Sequence, residues 1–164
     1  MRLDYTRRPH VTIRRMAIVP PVQRDLAFLL PTFLAKVTLL IAAMQARGFK
    51  PKVWETRRTA QRASYLASIG KSKNGALSMH CLDCAVDFVD EDKLWDNPAF
   101  FKALGEEAKK LHMTWGGDWD GDPDTKETFV DSPHIQGVTI AMQNRFRALR
   151  SVLAREEFLK RVFV

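Results

Sequence analysis

The stretch "SMHCLDCAVD" (residues 78–87) sets His80, Cys81, Asp83, Cys84 and Asp87 close together. Imidazole, thiolate and carboxylate are the groups that hold divalent transition metals. Far downstream, "VDSPHIQ" places Asp131 three residues before His134. Two imidazoles and one carboxylate form a tridentate set that leaves a fourth tetrahedral position for water, the pattern of a catalytic rather than a closed zinc site. A further carboxylate nearby could take the proton from that water. The thiols offer less. Cys81 and Cys84 are the chain's two cysteines, so a four-Cys site is excluded and no disulfide framework exists. A redox C-x-x-C opens a helix, whereas "AVDFVD" follows here and reads as strand, so the pair is read as incidental.

For these residues to meet, the chain must turn between them. His80 and Asp87 stand seven apart, which puts them on opposite faces of a regular strand. They converge only if the chain turns or bulges. Asp83 sits where such a turn would lie, and Asp tolerates left-handed geometry better than most residues.

The surrounding pattern predicts an α+β domain, a few antiparallel strands with helices around them. Residues 26–48 are the most apolar part of the chain. Pro31 and Lys36 interrupt the run, so it lacks the roughly 20 clean apolar residues of a membrane span, and a signal or anchor role is the lesser reading. A core helix beginning near Pro31 or Thr32 is predicted, with Leu34, Val37, Leu40, Ile41 and Met44 on one face and Gly48 as its stop. Residues 51–59 read as a strand entering a turn. Residues 59–70 read as a helix capped by Thr59 and ended by Gly70. "KSKNGALS" is a polar loop with an Asn-Gly turn. Residues 97–113 are a helix with Asn97 as cap and Pro98 in its first turn. "FVDSPHIQ" is a short strand or bend, and residues 138–164 are largely helical, apolar and basic.

The whole chain has 164 residues, one domain's worth. The expected organisation is a basic N-terminal arm (1–24, with room for one short strand), a central domain (25–140) and a C-terminal basic amphipathic helix (141–164) belonging to that domain. With 46% hydrophobic and 27% charged residues, disorder is not expected. The net charge of +7 favours polyanionic partners such as nucleic acid, anionic lipid or a bacterial envelope. No nucleic-acid-binding motif accompanies it, so no specific nucleic-acid partner is expected. The terminal helix could touch anionic lipid, with a packed helix and solvated face as the plainer reading. Asp118, Asp120, Asp122 and Asp124 alternate in a Gly-containing loop, but the spacing does not complete a calcium loop, and a solvated loop is favoured. Trp115 and Trp119 flank Gly116 and Gly117 and either line a groove or pack a structural turn.

S-x-H-x6-D at residues 78–87, then "WGGDW" and then D-x-x-H-x-Q, resembles the zinc D-alanyl-D-alanine carboxypeptidase and L-alanyl-D-glutamate endopeptidase family, which includes VanY- and VanX-type enzymes and several phage endolysins. The likeness runs over roughly residues 32–137. It implies the D-Ala-D-Ala carboxypeptidase/Hedgehog-like type of fold, a small antiparallel sheet flanked by helices, and one catalytic Zn2+. It makes His80, Asp87 and His134 the zinc ligands and Asp131 the catalytic acid/base, often Glu elsewhere in the family. Arg58 matches the arginine beside the scissile carbonyl, with adjacent Arg57 as its rival. Ser78, Arg57 and Trp115 are the candidate substrate-binding residues. Asp83 departs from the pattern, because the family has Gly at that position of H-x-x-G-x-A-x-D. Asp83 either takes up the glycine's turn, strains the loop, or adds an acidic contact. The implied function is a monomeric metallopeptidase hydrolysing peptidoglycan stem peptides, most simply a phage or prophage endolysin cutting L-Ala–D-Glu. It would be made in the host cytoplasm and act on the cell wall. Alternatives are a D,D-carboxypeptidase or dipeptidase and a non-catalytic zinc-stabilised binding module.

Overall fold

The computed structural model describes residues 19–122, 126–149 and 151–163. The short strand expected in the basic arm falls at residues 1–18, outside those described. Among the described residues the elements are α1 (Pro31–Ala46), β1 (Pro51–Glu55), α2 (Ala60–Ser68), β2 (Ala85–Asp90), α3 (Pro98–Lys110), β3 (Thr114–Trp115), β4 (His134–Gln136), α4 (Ile140–Ala148) and α5 (Val152–Phe163). The strands form one antiparallel sheet in the order β1-β2-β4-β3. The fold class is α+β, a small antiparallel sheet flanked by helices.

Local chemistry explains the element ends. Pro31 occupies the first turn of α1, where a missing N–H costs nothing, and Gly48 leaves the helix at φ +82°. The Thr59 side chain accepts from Arg62 N and opens α2; the Asn97 side chain accepts from Phe100 N and opens α3. The C-terminal segment is two helices rather than one. Thr139 caps α4, Leu149 turns the chain extended at ψ 122°, and Ser151 Oγ accepts from Ala154 N to start α5.

The buried face of α1 is Phe33, Val37, Leu40 and Met44, with Leu34 and Ile41 packed at its edge. That face joins Val86 and Phe88 of β2, Ile135 of β4, and Phe100 and Leu104 of α3 in one cluster. Burying each such aromatic contributes on the order of 1.5–3 kcal/mol. The rings of Phe49 and Phe100 meet edge to face at 5.8 Å. Phe146, Phe158 and Val162 bring α4 and α5 onto the same core.

The sheet register does most to build the site. β1 pairs with β2 regularly from Pro51↔Asp90 to Val53↔Phe88, then slips so that Glu55 faces Asp87. Such a bulge moves one side chain across the pleat. β2 pairs with β4 so that Asp87 faces His134. Glu55, Asp87 and His134 therefore form one row across three strands.

Candidate metal centre

Asp87 and His134 arrive on neighbouring strands, and His80 arrives from the 3-10 turn Met79–Leu82 just before β2. That turn ends at Asp83, which lies in the left-handed region at φ 57°, ψ 23°. Asp83 supplies the reversal that the seven-residue separation requires. Its carboxylate is gripped by Arg57, whose Nε donates at 2.7 Å and whose Nη2 also bonds it. The residue standing at the glycine position keeps a glycine's conformation, and a neighbouring arginine fastens it there.

The three side chains meet closely. His80 Nε2 lies 3.1 Å from Asp87 Oδ1 and 3.2 Å from His134 Nδ1, and His134 Nδ1 lies 3.0 Å from Asp87 Oδ1. The outward nitrogens face acceptors. His80 Nδ1 is 2.7 Å from the Thr56 carbonyl, and His134 Nε2 is 3.2 Å from Gln136 Oε1. Gln136 is oriented by its own amide nitrogen, which donates to Val138 O at 2.9 Å. A ring proton on each outward nitrogen leaves two imidazole lone pairs and a carboxylate oxygen aimed at one point. Such a convergence is repulsive unless a cation or a proton lies within it. Tetrahedral ligands at zinc distances of about 2.0–2.1 Å sit roughly 3.3 Å apart, close to the observed separations. The trio fits a zinc-type ion, and among the described residues it is one of two groups whose ligand atoms lie near enough to hold a metal.

The second group, Asp118, Asp120 and Glu127, is tied up differently. Asp118 Oδ2 pairs with Lys109 Nζ, and Glu127 Oε1 accepts from Trp119 N at 2.6 Å and Asp120 N at 3.3 Å. Asp124, the last of the alternating acids, lies outside the described residues.

Electrostatics around the trio are mutual. Burial pushes the Asp87 carboxyl up, but the facing imidazoles of His80 and His134 outweigh it and hold it below the usual carboxylate range. Burial pushes His134 down, and the Asp87 carboxylate more than reverses that. Asp131 behaves oppositely. Burial raises its carboxyl above the ordinary value despite the nearby cations, with Asp87 adding to the rise. A raised carboxyl facing a reactive centre suits proton transfer.

Asp131 is placed by "WGGDW". Its backbone N–H donates to Gly116 O at 2.7 Å, and Gly116 N donates to His134 O at 2.8 Å. A Cβ on Gly116 would lie 2.4 Å from Asp131 O, so only glycine permits the approach. Gly117 makes room for the Trp115 ring, which a Cβ there would meet at 2.1 Å.

These groups open onto a cleft of about 870 Å³ whose wall includes His80, Asp87, Asp131, His134, Arg58 and Ser78. The structure thus gathers six of the eight sequence-nominated residues and separates two. Arg57 lies away from the cleft wall, holding Asp83 with its guanidinium 4.6 Å from the Phe28 ring. Trp115 packs against Gly105 and Gly117 and donates from Nε1 to Ser132 O at 2.7 Å. Trp119 faces the cleft instead, its ring 5.4 Å from that of His134. Arg58 is nine-tenths buried; Nη2 pairs with Glu55 at 2.6 Å and stands 3.9 Å from Asp87, and Nη1 donates to Ser78 Oγ at 3.3 Å. Glu55 is almost fully buried and also binds Arg62 Nε.

Sequence reasoning missed Glu55, Gln136, Gln143 and Arg147. Gln136 had a usable signal: two residues after His134 on a strand, it shares that residue's face. Gln143, turned so that both its ends are satisfied, donates to Gln136 Oε1 at 2.8 Å and accepts from Arg147 Nη1 at 2.7 Å. A hydrogen-bonded line thus runs from α4 to His134.

No family model matches the chain, and no curated protein matches it. Among solved structures it is similar to the L-Ala D-Glu endopeptidase ChiX of Serratia marcescens, with a TM-score of 0.54 at 20% identity over 76% of this chain and 94% of that one. Also matched, at a TM-score of 0.49 and 16% identity, is a mutant of the D,D-pentapeptidase VanY from a VanB-type vancomycin-resistance cassette, in complex with Zn(II), over 79% of this chain and 82% of that one. The first likeness establishes that the chain shares the endopeptidase's fold.

Proposed function

We propose that this chain is a zinc metallopeptidase that hydrolyses peptidoglycan stem peptides, with L-alanyl-D-glutamate endopeptidase activity of the phage or prophage endolysin kind. The observation that carries the reading is the trio of converging acceptors, His80 Nε2, Asp87 Oδ1 and His134 Nδ1, set beside a second carboxylate, Asp131, in an open cleft. A closed structural site has no use for a free fourth position or a half-buried acid beside it. The endopeptidase whose fold the chain shares acts at L-Ala–D-Glu by its description, which supports that bond over a terminal D-Ala.

His80, Asp87 and His134 hold the ion. A zinc ion there supplies Lewis acidity, polarising the scissile carbonyl and making a water easier to deprotonate. Asp131 accepts the proton of the attacking water and returns it to the departing amine, for which a raised carboxyl is suited. Arg58, kept in place by Glu55 and Ser78, offers positive charge to the oxygen on which negative charge develops. Asp83 holds the loop's turn, so its presence does not weaken the catalytic reading against a binding module. The enzyme would be made in the host cytoplasm and reach the cell wall from there.

Turbidity of outer-membrane-stripped bacteria tests the proposal. The zinc-loaded protein is expected to clear the suspension, and Asp131→Ala, carrying the same zinc, is not. Unchanged turbidity with zinc-loaded wild type would count against the peptidase.

A further inference from the structure

Three guanidinium groups, Arg58, Arg62 and Arg147, reach the wall of the cleft. Arg58 and Arg62 share the Glu55 carboxylate, and Arg58 also stands 3.9 Å from Asp87. Arg147, in the last turn of α4, has no carboxylate partner among the described residues. Its Nη1 and Nη2 both donate to the Gln143 side-chain oxygen, at 2.7 and 2.5 Å. That occupies the end of the guanidinium fork. The remaining edge includes Nε, which is buried and lacks any hydrogen-bond partner. A partly buried cation with an unpaired donor is an unfavourable arrangement by itself. Burial alone pulls the Arg147 pKa down, with no acid nearby to restore it.

We infer that Arg147 is a specificity-determining residue that binds a carboxylate of the substrate by turning the unpaired Nε edge of its guanidinium out of the cleft wall. The inference rests on the peptidase reading for the identity of that substrate. A glutamate joined to its successor through its side chain keeps its α-carboxylate free, immediately beyond the L-Ala–D-Glu amide. A planar carboxylate meets a guanidinium edge with two parallel hydrogen bonds, which lysine cannot reproduce. Position agrees with this use. Arg147, Gln143, Gln136 and His134 are joined by successive hydrogen bonds, so the guanidinium stands on the His134 side of the reacting centre. The same chain offers a purely structural role, in which Arg147 steadies Gln143 and, through it, His134.

Calorimetry separates the two. Zinc-loaded Asp131→Asn, used to prevent turnover, is titrated with L-Ala-γ-D-Glu-L-Lys and with the same peptide carrying an α-carboxamide. The acid is expected to bind on the order of ten- to a hundredfold more tightly than the amide, as losing a charge-assisted pair implies. Adding Arg147→Met should level the two peptides, and Arg147→Lys should keep part of the preference. Because the acid-to-amide ratio is read within each protein, partial misfolding of a variant does not mimic the result. Equal binding of both peptides with Arg147 present, binding of neither, or an equal weakening of both by Arg147→Met would overturn the inference. Hydrolysis of both peptides at one rate by the wild type would leave the peptidase standing and remove the Arg147 subsite. Acid-selective binding without hydrolysis by the wild type would do the reverse.

Discussion

Asp83 shows how a single residue can hold a turn that its own type disfavours. At φ 57° it occupies a conformation that costs a non-glycine residue roughly 1–2 kcal/mol, less for Asp, and Arg57 clasps its carboxylate. Asp83→Gly should therefore fall within about 1 kcal/mol of wild type in denaturant unfolding, the lost ion pair offsetting the relieved backbone. Asp83→Ala loses the clasp and keeps the strain, so it should be destabilised by about 1–2 kcal/mol. An Asp83→Ala protein as stable as wild type would contradict this view of the turn. The two thiols give a second check. Burial raises Cys81 and pushes Cys84 up to about 12. In the native protein at pH 8, a thiol reagent should label Cys81 slowly and Cys84 hardly at all, and both promptly after unfolding. Because Cys84's folded pKa lies above its unfolded value near 9, its contribution to stability is intact below pH 9 and is lost as pH climbs toward 12. At this scale the sequence was readable where a residue's chemistry is intrinsic, as with His80, Asp87 and His134. It was unreadable where two like residues adjoin. Arg57 and Arg58 exchange roles according to which one the bulged end of β1 turns toward the cleft. Trp115 and Trp119 are sorted by Gly105, a residue on α3 whose missing side chain admits the Trp115 ring.

Elements, rather than single residues, create the site's rigidity. The caps at Thr59 and Asn97 and the Gly48 stop were legible because they depend on residues within a turn of one another. The bulge that brings Glu55 opposite Asp87 was not, since the slip exists only relative to β2. Nor was the α4–α5 break, which an unbroken apolar and basic pattern conceals. The line from α4 through Gln143 and Gln136 to His134 presets which imidazole nitrogen faces the ion. Removing such an outer partner typically weakens metal binding about 10–100-fold. Gln136→Leu should show that loss in competition with a zinc chelator, while Gln136→Glu retains an acceptor and recovers part of it. Unchanged zinc affinity in Gln136→Leu would detach β4's amide from the metal centre.

Across the whole molecule, the sequence's clearest message was its charge. A net +7 should concentrate the protein on a polyanionic wall at low ionic strength and release it as salt screens the attraction. Digestion of intact sacculi should accordingly slow between 50 and 300 mM salt, on the order of a Debye-length contraction from 14 to 6 Å, while hydrolysis of a short soluble peptide changes little. Parallel loss on both substrates would place the salt effect in the cleft. The central claim remains that three converging ligands and Asp131 form a hydrolytic site. Mass spectrometry of purified sacculi, after incubation with zinc-loaded wild type or with Asp131→Asn at equal zinc content, tests it most directly. The account predicts peptides with a newly free D-Glu amino end from the wild type, and at least a hundredfold less from Asp131→Asn, in keeping with the typical contribution of a general base. Intact muropeptides from a wild-type protein with zinc bound would contradict it.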